Sequence, residues 1–267
     1  MPDVILGTPD PDTLTATAGA AVIQGLGGND TLTGSNEVDL IFGDEGDDSL
    51  SGLDGNDFID GGPGKDSINT GLGNDVIHAG SGDDNVGGMA GSDTVFAGSG
   101  DDLVAWNDPT GDLAFGGRGN DTLLGGNIAA DTIFGGCGDD LIRAFATNAA
   151  AGTAADFLAG DAGNDIILGG AANDTIEGGL GDDILSGGGG NNIYEYNGAV
   201  AAGQDVITDF NTAGDVVRLS NVEPSFDPLE ALTDGPLGAV LDLGDGNSVT
   251  FLGRLAREFD AGDFLLA

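Results

Sequence analysis

The chain has 267 residues, of which 52 are Gly but only 12 Phe, 2 Tyr and 1 Trp, so a conventional globular core is excluded. Six basic against 46 acidic residues give a formal charge of −40, which excludes nucleic acid and anionic membrane surfaces as partners and leaves cations as the counter-charge. The lone Cys137 allows no internal disulfide, and no apolar run is long enough to span a bilayer.

The start, Met1 to Gly7, carries neither a basic segment nor an apolar run of signal-peptide length, so any export is expected to use a signal elsewhere. Residues 7–15 (GTPDPDTLT) open a nine-residue register with Asp12 and Leu14 in place. Residues 16–24 keep it weakly, with Ala21 where Asp belongs, as a degenerate coil in an N-terminal entry spanning 1–24. From 25 to 105 nine units follow without insertion, each a Gly-rich half ending in Asp at its sixth position, with an aliphatic residue two positions later. Leu32, Ile41, Leu50, Ile59, Ile68, Ile77, Val86, Val95 and Val104 are those aliphatics. Beyond them one extra residue (Trp106) precedes 107–115, residues 125–134 hold ten, and 144–159 carries a seven-residue insertion. The other units to 195 are regular, and Asn192 replaces Asp in the last.

The three residues after each Asp suffice for a short strand whose middle residue points inward and whose neighbours point outward. One unit buries almost nothing, so units must stack, two units making a coil of 18 residues. Asp residues 18 apart then line up along one edge. Carboxylates held one strand spacing apart repel unless a cation lies between them, and hard oxygen donors without His or Cys suit Ca²⁺. A single such Asp would only cap its turn. A column of them asks for metal.

The units resemble the repeats-in-toxin (RTX) nonapeptide, G-G-x-G-x-D-x-(aliphatic)-x, over roughly residues 7–195. The resemblance implies an all-β, right-handed parallel β-roll, its domain at residues 25–195 and its twenty units over 7–195 making about ten coils, with about ten Ca²⁺ between successive turns. The implied ligands on the first edge are the carboxylates of Asp30, Asp48, Asp66, Asp84, Asp102, Asp121, Asp140, Asp165 and Asp183. The implied carbonyl donors there are Gly28, Gly46, Gly64, Gly82, Gly100, Gly119, Gly138, Gly163 and Gly181. On the second edge only Asp57, Asp75 and Asp93 sit in intact turns, because Glu37, Thr110 and Ala172 replace the glycine of others. A full ion column is therefore expected on the first edge and a partial one, around residues 52–93, on the second. The units of irregular length (106–115, 125–134, 144–159) all belong to the second edge and should bulge from it.

Outward positions after second-edge turns end in Phe42, Asp60, His78, Phe96, Phe115 and Phe134. Phe96, Phe115 and Phe134 are expected to form a ladder, with Leu113 and Phe157 nearby, and the 144–159 insertion or the C-terminal segment is expected to cover it. Uncovered, it would mark an interface for another protein or an extracellular polysaccharide. Residues 196–267 read as a small β cap: two strands about a turn in 204–219 and a hairpin in 239–252. The segment resembles the tail of RTX exoproteins, and its end, Asp260 to Ala267, is similar to the terminus by which such proteins engage the type I secretion machinery.

No catalytic centre is expected. His78 is the only histidine, so no H-E-x-x-H site exists, and no Ser sits in a G-x-S-x-G elbow. The reading is a secreted, extracellular Ca²⁺-binding roll that folds on metal after type I export, in a structural or surface-binding role. The alternative is a polysaccharide- or cell-surface-binding module accompanying an extracellular enzyme. An ice-binding face would need regular T-x-T pairs, and only Thr31 and Thr33 supply one in residues 25–105.

Overall fold

A computed structural model describes residues 2–267 apart from 18, 89, 107, 127 and 146–152. Strands that follow first-edge turns (Thr31–Thr33, Ser49–Ser51, Ser67–Asn69 and onward) lie side by side in one sheet. Strands that follow second-edge turns (Leu40–Phe42, Phe58–Pro63, Val76–Ser81 and onward) form the other. Pairing is parallel at the expected spacing, Thr31 on Ser49 on Ser67 and Leu40 on Phe58 on Val76. Each coil thus gives one strand to each sheet, and the molecule is an all-β parallel solenoid.

The inward aliphatics from Leu32 to Val104 are at most 2% exposed and make one continuous core along the axis. Burying a Leu, Ile or Val side chain stabilises by roughly 1.5–3 kcal/mol, and one such residue per strand holds the coil closed. Trp106, the extra residue of its unit, turns into this core and is 1% exposed.

In the sheet of first-edge strands, the three-residue strand length is as expected through Leu141–Arg143. In the other sheet most strands from Phe58–Pro63 onward reach five or six residues, longer than the sequence pattern suggested. There the first residues of the following turn keep pairing, Gly62 on Gly80 and Pro63 on Ser81.

The fourth-position glycine is the steric condition for stacking. Gly64 has φ +148°, and a Cβ on it would overlap the Gly46 carbonyl oxygen one coil below. The first-position glycine is less constrained, since Ala79 and Ala97 occupy that place fully buried. The three irregular units join Leu103–Ala105 to Leu113–Arg118, Thr122–Leu124 to Thr132–Cys137, and Leu141–Arg143 to Phe157–Ala162. All three leave from the second edge; part of the 144–159 insertion, residues 146–152, lies outside the described residues. A further lengthening, residues 198–203, sits on the first edge.

The C-terminal segment extends both sheets. Gln204–Ile207 pairs in parallel on Ile184–Gly188, and Asn247–Leu252 pairs on it in turn. Val216–Ser220 and Phe264–Leu266 prolong the other sheet. The hairpin expected at 239–252 is present, Gly238–Gly244 antiparallel to Asn247–Leu252. Because the segment stacks on the end of the roll, it does not fold back over the aromatic face. Phe96 remains 38% exposed, so the expected cover from this segment is not there.

We expect Gly64→Ala to cost at least about 1–3 kcal/mol from backbone strain alone, while the exposed Ser81→Ala stays within about 0.5 kcal/mol. Thermal midpoints of the two variants in saturating Ca²⁺ check this, and equal midpoints would contradict it.

Candidate metal centre

Every first-edge Asp ends its turn with the carboxyl directed along the column. Oδ1 of each accepts the backbone N–H of the Asp one coil earlier: Asp30 to Asp48 at 2.7 Å, Asp48 to Asp66 at 2.8 Å, Asp66 to Asp84 at 2.8 Å, Asp84 to Asp102 at 2.7 Å. The same bond links Asp102 to Asp121, Asp121 to Asp140, Asp140 to Asp165 and Asp165 to Asp183 at 2.7–2.8 Å. On the second edge it runs from Asp57 to Asp75 and Asp75 to Asp93.

The other oxygen distinguishes the turns. Oδ2 is buried without a hydrogen-bond partner at Asp30, Asp48, Asp66, Asp84, Asp102, Asp121, Asp140, Asp165 and Asp183. The same holds at Asp57, Asp75 and Asp93, so all twelve carboxylates named from the sequence share this state. In three of the turns that have lost their fourth glycine or their length, a backbone N–H fills the vacancy. Ser35 donates to Asp39 Oδ2 at 2.5 Å, Gly126 to Asp131 Oδ2 at 2.7 Å and Gly170 to Asp174 Oδ2 at 2.8 Å. A repeat that keeps its pattern leaves an oxygen open. The degenerate turns of Asp39, Asp131 and Asp174 close it.

Backbone oxygens line the same turns, and a Cβ on the first-position Gly25 would meet both Asp30 Oδ2 and the Gly43 carbonyl oxygen. The carbonyl oxygens of Gly28, Gly46, Gly64, Gly82, Gly100, Gly119, Gly138 and Gly163 each lie 1.7–2.0 Å from where a Cβ on the fourth-position glycine one coil on would stand. Gly181 repeats this toward Gly203. Among the described residues no backbone N–H outside the strands donates to these nine carbonyls. Nor do three His, Cys, Asp or Glu side chains converge on one point among the described residues. Any cation here would therefore take one carboxylate from each turn and complete its shell with carbonyls, a donor set of hard oxygens that fits Ca²⁺. These residues fit the ion.

Burial raises the carboxyl pKa values, opposed by the backbone N–H bond and assisted by neighbouring carboxylates. Asp84, Asp121, Asp140 and Asp165 are pushed up to about 7, and Asp66 and Asp183 to about 6. On the second edge Asp57 and Asp93 reach about 7.

Two features of the turns within the repeats escaped the sequence reading. Asp112, in the turn interrupted by Thr110, also has a buried, unpartnered Oδ2, and its pKa is pushed up to about 8 by burial, with Asp108, Asp131 and Asp93 adding to it. Fifth-position side chains form an outer, exposed ladder on the first edge, in which Lys65 N–H donates to Asp47 Oδ1 and Asn120 N–H to Asp101 Oδ1. The signal was the run of Asn, Asp and Lys just before each first-edge Asp.

The aromatic ladder is longer than the expected three rings. Phe42, Phe58, His78, Phe96, Phe115, Phe134 and Phe157 follow one another at 5.0–5.9 Å between centroids. Phe96, Phe115 and Phe134 lie within 5° of parallel, faces spent on each other.

Because the folded carboxyls hold protons more tightly than the ordinary value of 3.8, the metal-free fold should be most stable in acid. It should weaken as pH rises from about 4 through about 7, where the buried groups ionise. Circular dichroism of metal-stripped protein should therefore show β structure at about pH 5 that is lost by about pH 8; a rise in structure with pH would contradict it.

A family model of the RTX calcium-binding nonapeptide repeat (4 copies) matches residues 6–41, 33–68, 42–77, 69–104, 107–142, 126–148, 151–185 and 159–194. No curated protein sequence matches the chain. Among solved structures, the extracellular lipase LipA from Serratia marcescens aligns with a TM-score of 0.43 and 23% identity, covering 90% of this chain and 40% of that one. The AlgE6R3 subunit of the Azotobacter vinelandii mannuronan C5-epimerase aligns with a TM-score of 0.21 and 22% identity, over 51% of this chain and 78% of that one. The chain spans well under half of the lipase's length.

Proposed function

We propose, since this chain belongs to the RTX calcium-binding nonapeptide repeat family, that it is an extracellular, non-catalytic roll whose folding is driven by Ca²⁺. The carrying observation is the set of buried carboxylate oxygens without donors, confined to the intact turns and to Asp112 and Asp205. Leaving a buried acceptor unmade costs about 1–3 kcal/mol, more when it is charged. Twelve such sites would defeat the fold at neutral pH unless cations neutralise them. Eight gaps between the nine first-edge carboxylates and two between Asp57, Asp75 and Asp93 give about ten ions.

Asp30 through Asp183 hold the first column with the carbonyls of Gly28 through Gly181, and Asp57, Asp75 and Asp93 hold the second. Extracellular Ca²⁺ modules work at dissociation constants of about 10⁻⁴–10⁻³ M. At cytosolic Ca²⁺ the chain stays unfolded, which suits passage through a type I secretion channel, and metal outside the cell folds it. Among the described residues no helix is long and apolar enough to cross a membrane.

Removing Ca²⁺ at about pH 7.5 should abolish the cooperative thermal transition, and an unchanged transition in chelator would contradict the reading. Asp84→Asn, at an open oxygen, should lower the number of bound ions, whereas Asp174→Asn, where Gly170 already donates to Oδ2, should not. Equilibrium dialysis of both variants distinguishes them, and equal losses would contradict the assignment.

A second reading rests on the partly exposed ladder of Phe96, Phe115 and Phe134, an apolar strip on a molecule of charge −40. It would contact an extracellular polysaccharide or another protein. Binding to immobilised alginate that disappears in Phe115→Ser would favour this role. Equal retention of both proteins would exclude the ladder as the contact.

A further inference from the structure

The first-edge column does not end at Asp183. Residues 200–208 (VAAGQDVIT) keep Gly, Asp and an aliphatic residue at the fourth, sixth and eighth places, although they follow a four-residue lengthening and lie beyond the last matched repeat. Asp183 N–H donates to Asp205 Oδ1 at 3.0 Å, the bond that links every earlier pair. Gly181 N–H donates to the Ala202 carbonyl, as Gly163 N–H does to Leu180 one coil before. Gly203 has φ +89° and lies against the Gly181 carbonyl oxygen. This is a tenth turn.

Its surroundings differ from the nine below it. Tyr196 lies two residues past the Ile176 and Tyr194 pair, in the strand Ile193–Asn197, and pairs with Leu219 on the next coil. Tyr196 is 4% exposed and Asp205 1%; Asp183 Oδ2 is buried without a partner, and Asp205 Oδ2 and the Tyr196 hydroxyl are buried with no well-formed hydrogen bond, each the other's nearest polar neighbour. The hydroxyl faces Asp205, with Asp183 next to it. Above this group the column closes. Ser248 N–H donates to the Gly203 carbonyl at 2.8 Å, Gly203 N–H donates to Asn247 Oδ1, and Val249 stands over Asp205.

We propose that the turns ending in Asp183 and Asp205 hold one more Ca²⁺, through both carboxylates and the Gly181 carbonyl with the Tyr196 hydroxyl beside them, and that this ion clamps the C-terminal segment onto the roll. The inference rests on the Ca²⁺ reading above and extends it beyond the repeats. The clamp acts where it controls most. Gln204–Ile207 is the strand on which Asn247–Leu252 pairs, and that strand carries the terminal hairpin.

The test uses the full chain in saturating Ca²⁺, with bound ions counted by equilibrium dialysis and amide hydrogen exchange followed along the chain. Asp205→Asn should bind one ion fewer, and its amides in 204–207 and 247–252 should exchange at least about tenfold faster, while residues 25–195 keep their protection. Tyr196→Phe, which keeps both carboxylates, should retain the ion and the protection. An Asp205→Asn protein with the full ion count overturns the clamp, as does a Tyr196→Phe protein that keeps its ions but loses C-terminal protection, since a hydroxyl–carboxylate contact would then hold the segment. A wild-type chain that binds no Ca²⁺ at all defeats the underlying reading instead, and is distinguishable by its empty count.

Discussion

One carboxylate per coil, buried at the turn with only half of its hydrogen-bonding capacity met, is the constraint on which the molecule depends. Parallel strands repeat at about 4.8 Å. At that distance two unit charges repel by about 1 kcal/mol in water and about 3–4 kcal/mol at the effective dielectric of a protein surface. The backbone N–H bond from the preceding Asp offsets part of this by stabilising the charged form, yet burial still holds Asp66, Asp84, Asp121, Asp140, Asp165 and Asp183 at about 6–7. The aliphatic core cannot compensate by itself, because each strand buries one large side chain. A cation between turns removes the repulsion and supplies the missing partner at once.

The two edges apply the same chemistry with different strictness. First-edge turns keep their glycine and their aspartate from Asp30 to Asp183, and the chain there tolerates no length change within the repeats. Second-edge turns at Asp39, Asp131 and Asp174 have exchanged the open oxygen for a backbone donor. It is this edge that carries the insertions. On the proposed reading a turn whose carboxylate already has its donor needs no cation and no fixed shape, which fits one edge as a spine and the other as a place for variation. The aromatic ladder runs along the sheet that starts from this second edge.

Most of this was legible in the sequence because Gly, Asp and an aliphatic residue at fixed offsets have few joint uses. The alternation of sheets, the inward Leu32 to Val104 series and the edge from which the bulges leave all follow from the period. What the period does not encode is what happens where it is interrupted. Asp205 was invisible because four added residues displaced it from the count, and Asp112 because Thr110 disguised its turn. The full length of the ladder was missed for another reason: Phe58, and Phe157, which was expected only nearby, occupy the outward position before the core residue and reach rings at the position after it on an adjacent coil. The C-terminal segment does not cover that ladder because its strands found free edges at the end of both sheets, where backbone hydrogen bonds were available.

Anomalous diffraction from crystals grown in Ca²⁺ tests the central claim most directly, because it locates each ion independently of any assumption about its ligands. The account predicts peaks between successive turns from Asp30 to Asp183 and between Asp57 and Asp93, with none at the turns of Asp39, Asp131 and Asp174. A first edge without ions, or ions distributed without regard to which carboxylates lack a donor, would contradict it.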